Sequence, residues 1–167
     1  MTIYPGRYTA EIDEPFVVFL IGSHVGSLRN LMKARWLGQA MNEMLDVLST
    51  DSQKGFLGGE SFFRFWPFTS ILVSYWRSYE DLERFAHDKN DPHLEPWRRF
   101  NREIGSDGSI GIWHETYVVQ AGQYETMYGN MPAFGLAKAS RHVPVTGRLD
   151  TARQRLDRMT EGASTPL

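Results

Sequence analysis

A chain of 167 residues is long enough for one domain with a real core, and a net charge of −2 with 41% hydrophobic residues is that of an ordinary soluble globular protein, without the basic footprint of a nucleic-acid partner. The absence of cysteine removes disulfides, thiolate nucleophiles, thiolate-ligated haem, iron–sulfur clusters and cysteine zinc sites together. Aromatic residues make up 13% of the chain, more than a small core needs, which points to a cavity for an apolar ligand.

After a polar lead from Met1 to Pro15, the run Phe16 to Gly22 is continuously apolar, as expected for a strand covered on both faces. The run is only strand-length and follows Glu11, Asp13 and Glu14, so it reads neither as a membrane span nor as a signal peptide, and a cytoplasmic protein is expected. Ser27 can cap a long helix whose Leu28, Leu31, Met32, Trp36, Leu37, Met41, Met44, Leu45 and Leu48 recur at helical spacing; this stripe reads as core. Arg29, Lys33 and Arg35 read as a solvated face, with the steering of an anionic ligand as the alternative.

Gly55 to Glu60 is a turn cluster, and Ser61 to Phe65 a short aromatic strand ended by Trp66-Pro67. Thr69 to Trp76 is a strand. Ser78 and Asp81 then form a capping box that opens the helix Tyr79 to His87, with Leu82, Phe85 and Ala86 inward. A further helix has Asp91 as N-cap, Pro92 at its first position and Gly105 as its stop. At 100° per residue its His93, Trp97, Phe100 and Ile104 share one stripe. His93 thus faces inward at a helix start, where the positive end of the dipole disfavours imidazolium; it is either a packing histidine or a neutral imidazole able to accept a proton or ligate a metal.

The run Gly111-Ile112-Trp113-His114-Glu115-Thr116-Tyr117-Val118-Val119 is a strand by composition. Alternation sets Ile112, His114, Thr116 and Val118 on one face and Trp113, Glu115 and Tyr117 on the other, with Glu115 expected to be hydrogen-bonded or paired with a basic residue such as Arg77. His114 carries the same two readings as His93. A turn at Gln120 to Gly122, a last strand Gln123 to Tyr128 and an apolar, irregular loop Asn130 to Lys138 follow. Beyond Ala139 the chain is polar, with a short helix around Asp150 to Met159 and mobility expected, so the division is a domain over 1–138 and an extension over 139–167.

Strand, helix, two strands, helices, strand is the order of an α+β ferredoxin-like plait, here with a C-terminal strand and extension. Such a sheet has helices on one face and leaves the other bare. Two plaits packed sheet to sheet would bury that face, giving a homodimeric α/β barrel with an enclosed cavity.

Six segments carry a resemblance: Phe16 to Gly22, Gly55 to Gly58, Ile71 to Ser78, Trp97 to Asn101, Gly111 to Tyr117 and Tyr128 to Pro132. Over about residues 10 to 140 the chain resembles the fumagillin-pathway-type monooxygenases, members of the dimeric α/β-barrel superfamily of antibiotic-biosynthesis monooxygenases. The resemblance is most specific in Trp113-His114-Glu115-Thr116-Tyr117 and Asn130-Met131-Pro132. It implies the barrel fold, and a superfamily that holds cofactor-free oxygenases, haem enzymes, isomerases and stress proteins.

No phosphate loop or nucleophile elbow is present, and His87 and His93 lack a third ligand for zinc, so no metal site is expected. Three readings remain. In a cofactor-independent monooxygenase acting on a small apolar or aromatic substrate, His114 or His93 would remove a proton, and Tyr75 or Asn130 would hydrogen-bond the developing enolate. In a haem protein, His93 or His114 would be the axial ligand. In a non-catalytic, stress-associated dimer the aromatics would simply fill the barrel. Neither nucleic acid nor membrane is expected as a partner.

Overall fold

In the computed structural model, which describes residues 2–89, 91–146 and 151–163, the elements in chain order are strands β1 (Tyr4–Glu11) and β2 (Phe16–Val25), helix α1 (Leu28–Thr50), strands β3 (Phe56–Arg64) and β4 (Phe68–Trp76), helices α2 (Tyr79–His87) and α3 (Leu94–Glu103), strands β5 (Ile110–Val119) and β6 (Tyr128–Met131), helix α4 (Leu136–Ala139), strand β7 (Arg141–Pro144) and helix α5 (Ala152–Ala163). The apolar run in β2 pairs antiparallel along its length with β4 on one side and β5 on the other, and β3 flanks β4. The resulting order β3-β4-β2-β5 is that of the ferredoxin-like plait. No helix among the described residues is long and apolar enough to cross a membrane.

Alternation assigns the faces. Val17, Phe19 and Val25 of β2, Leu72 and Trp76 of β4, and Ile110 and Ile112 of β5 turn toward α1, α2 and α3. Each large apolar side chain buried there contributes about 1.5–3 kcal/mol. Ser27 caps α1 by accepting from the Asn30 N–H at 3.3 Å, and Ser78 caps α2 by accepting from the Asp81 N–H at 3.1 Å. The Asp81 carboxylate turns to Arg77 and Arg84, each at 2.7 Å, and the Arg77 guanidinium first of all holds it below the usual carboxylate range. Among the described residues Asp91 caps no helix: its buried carboxylate pairs with Lys54 at 2.6 Å, because a desolvated charge needs a cation more than a helix needs a cap. Helix α3 therefore starts at Leu94, with His93 in the N-cap position.

The turn cluster is half strand. Gly55, at φ +76°, makes the turn, and β3 begins at once with a bulge between Phe56 and Gly58. The polar lead holds β1, which pairs with β6 and β7 in a second antiparallel sheet of order β6-β1-β7. The last strand before the loop is Tyr128–Met131, not Gln123 to Tyr128, since the preceding segment is tied by side chains instead of a ladder: the Thr126 hydroxyl accepts from the Ala10 N–H at 2.8 Å, and the Tyr124 hydroxyl from the Ile12 N–H at 2.7 Å. The extension begins with β7, and its helix is α5, anchored by an Arg155–Glu125 ion pair of 2.5 Å; Asp150 lies outside the described residues.

The small sheet and α4 lie over part of the face that the plait leaves bare. Ala10, Leu136 and Ala137 bury against Phe16, with Val18, Tyr75 and Val119 packed around them. The rest stays open, with Trp113 half-buried and Phe62 and Tyr117 exposed.

Candidate functional site

A cavity of about 310 Å³ lies between the helix side of the sheet and helices α1 and α3, and a smaller void of about 60 Å³ extends toward α2. Their walls are chiefly apolar: Leu31, Met41 and Met44 from α1, Trp97 and Phe100 from α3, Leu72 and Phe68 from β4. Volume and lining suit a metabolite of one or two rings.

His93 lines both cavities. Its Nδ1 lies 3.1 Å from the Ala86 carbonyl oxygen, which can only accept, so Nδ1 carries the proton of the neutral ring and Nε2 the lone pair. Among the described residues Nε2 has no partner. Burial, with a smaller contribution from His87, pushes the imidazole below its ordinary value, so the ring is neutral near pH 7. The sequence puts this neutral state down to the helix dipole, whereas desolvation is the leading cause.

A second polar feature lies on the sheet. Ser23 of β2 and Ser70 of β4 are register partners on the cavity side, with their hydroxyl oxygens 2.7 Å apart. When one hydroxyl donates to the other, the second keeps a proton to donate to a ligand oxygen. Sequence reading missed this pair, because each serine sits singly beside an apolar run and only the β2–β4 register brings them together. Arg35, Asn42 and Ser61 add polar groups where the cavity meets solvent.

The other predicted site residues lie elsewhere. His114 is exposed and absent from the cavity wall, with its ring 5.7 Å from Phe19; it does not share a cavity with His93. Alternation groups it with Ile112, as expected, and that face is the helix side, but β5 is an edge strand and α3 covers only its Ile110–Ile112 end. Trp113 points to the opposite face beside Gly22. Glu115 is hydrogen-bonded, the first of its two expected states: the Tyr117 hydroxyl donates to it at 2.5 Å, while among the described residues no base pairs with it and Arg77 is held by Asp81.

Tyr75 also turns away from the cavity, packing under Leu136 and Tyr128 on the second face. Asn130, at φ +52°, accepts from the Gly6 N–H at 2.9 Å and so fastens β6 to β1. No three His, Asp or Glu side chains among the described residues cluster as metal ligands.

The sequence profile of the monooxygenase af470-like family matches residues 16–136, which include every strand and helix of the plait. Monooxygenase af470 of Aspergillus fumigatus is 32% identical over 82 residues, 49% of this chain and 28% of that protein. Two aldoxime dehydratase crystal structures share the fold. One superposes with a TM-score of 0.66 at 15% identity, covering 95% of this chain and 44% of the other; the second gives 0.58 at 21%, covering 75% and 38%. The chain thus spans less than half the length of these relatives.

Proposed function

The chain belongs to the monooxygenase af470-like family, and from that premise we propose that it oxidises a small apolar or aromatic metabolite in the cavity between α1, α3 and the sheet. The observation that carries this reading is His93, a neutral imidazole whose Nδ1–H is anchored on Ala86 and whose Nε2 keeps its lone pair in a ring lining an apolar cavity. Such a nitrogen is a general base.

For a substrate with an activated methylene, His93 takes one proton, and the carbanion is held as its enolate by the free hydroxyl proton of the Ser23–Ser70 pair. The carbanion adds to dioxygen, forming a carbon–oxygen bond, and the imidazolium returns its proton to the resulting peroxide. Removal of the second C–H proton then expels water and leaves a carbonyl. One oxygen atom ends in the product and the other in water, with all the electrons supplied by the substrate. Neither Tyr75 nor Asn130 takes part.

Haem is the competing reading, and the lone pair of His93 is the observation that favours it. The cavity counts against it. About 310 Å³ is the lower end of the range for small-molecule sites, roughly 300–1,000 Å³, and too small for a tetrapyrrole disc unless α1 and α3 part. No step is therefore assigned to haem. We also infer a homodimer, supported by the open half of the plait's second face.

Dioxygen uptake by the purified protein, measured across a panel of phenols and activated methylene compounds, tests the proposal. Turnover by a colourless protein is expected, with His93→Gln lowering kcat at least a hundredfold while the fold is kept. The acid limb of the rate profile should fall at a pH below the ordinary histidine value. A Soret band lost in His93→Gln would replace this reading with the haem one, and a colourless protein with no uptake on any substrate would favour the non-catalytic dimer.

A further inference from the structure

Arg35 projects from α1 at the cavity rim, where it is exposed, and no carboxylate pairs with it among the described residues. Helical spacing explains why. The positions three and four residues away are Leu31, Met32, Gly38 and Gln39, none of them acidic. Arg99, by contrast, reaches Glu103 at 2.9 Å across one turn of α3. Gly38, one turn beyond Arg35, also lines the cavity, and a Cβ there would meet nothing within 4 Å, so the helix flank beside the guanidinium is open. Asn42, exposed at the next turn, adds an amide to the same flank. Inside this polar edge the wall is chiefly apolar, with the Ser23–Ser70 pair and His93 as its polar groups.

We infer that the substrate of this cavity is an aromatic carboxylate, with its ring system inside against the methionines and Trp97 and its carboxylate held at the rim by Arg35. A guanidinium matches a carboxylate with two parallel hydrogen bonds, and no protein carboxylate competes for it here. The amide of Asn42 donates to the same anion. A neutral compound of equal shape would gain the apolar contacts and leave Arg35 hydrated, so discrimination comes from this one side chain. The inference rests on the cavity being the substrate site.

Calorimetric titration of the whole chain with naphthoate and with naphthylmethanol, its neutral counterpart, separates the two ideas. Naphthoate should bind about tenfold tighter than naphthylmethanol, the advantage shrinking as salt is raised. Arg35→Gln should abolish that advantage while naphthylmethanol binds as before, and Arg35→Lys should retain part of it. Equal affinities in the unmodified protein, or an advantage that survives Arg35→Gln, would overturn the role of Arg35 and leave the cavity intact as a site. Loss of both compounds in Arg35→Gln would overturn it too, by assigning Arg35 to the shape of the rim. If the unmodified protein binds neither compound, the cavity reading falls and the inference with it.

Discussion

His142 of β7 sits among three tyrosine rings: Tyr8 at 4.6 Å between centroids, Tyr4 edge-on at 4.8 Å and Tyr128 edge-on at 5.6 Å. Neither ring nitrogen finds a partner among the described residues, and burial pushes the imidazole below its ordinary value. The ring therefore behaves as a small aromatic, with a buried polar edge that costs on the order of 1–3 kcal/mol. In the unfolded chain it would titrate near pH 6.5. With the folded value lower, its contribution is fully present above about pH 6.5 and is lost as the pH falls from there through the lower folded value, because over that range the unfolded chain takes up the proton more readily. His93 acts in the same direction. Thermal unfolding should therefore show stability falling from about pH 7 to pH 5. His142→Phe should be at least as stable at pH 7 and have a shallower acid slope; an unchanged slope would show that the cage does not disfavour the charged ring.

At the level of strands and helices, Gly22 of β2 marks a close approach of neighbouring strands. A Cβ there would lie 2.5 Å from the Ser70 carbonyl oxygen and 2.7 and 2.9 Å from the indole of Trp113. Gly22→Ala should cost about 1–3 kcal/mol and lower Tm by roughly 2–12 °C; an unchanged melting curve would mean that the β2–β4 backbone gives way at Ser70 as readily as the indole swings aside. Elements whose pattern is local were legible in the sequence: β2 and β4 as apolar runs, α1 and α2 from their serine caps, β5 from alternation. β1 was not, because its exposed half is polar and it takes its place through pairing with β6 and β7, far away in the chain. At the cavity, the inward stripe of α3 gave His93, a property of one helix. His114 depended on what covers an edge strand, and the Ser23–Ser70 pair on register, neither of which a single segment encodes.

For the whole molecule, the open half of the plait's second face bears on the state of assembly. Phe62 and Tyr117 are 45% and 51% exposed on it, beside the half-buried Trp113, and such apolar surface is rarely left to solvent. Light scattering at micromolar concentration should give twice the mass of one chain, and a monomer would show that the small sheet covers enough by itself. That small sheet also constrains the order of events during synthesis. β1 precedes every strand of the plait in the chain and its partners follow all of them, so Thr9 must wait for Thr126, 117 residues later. The entropic cost of closing so long a loop grows only with the logarithm of its length, so the plait can form first and the sheet close over it afterwards. On a translating ribosome β1 therefore waits without ladder partners, and Phe16, Val18 and Tyr75 stay uncovered until the residues around 144 have emerged. The β6-β1-β7 sheet is a seal applied last, and the nascent chain is most open to aggregation and to chaperones in the interval before it closes.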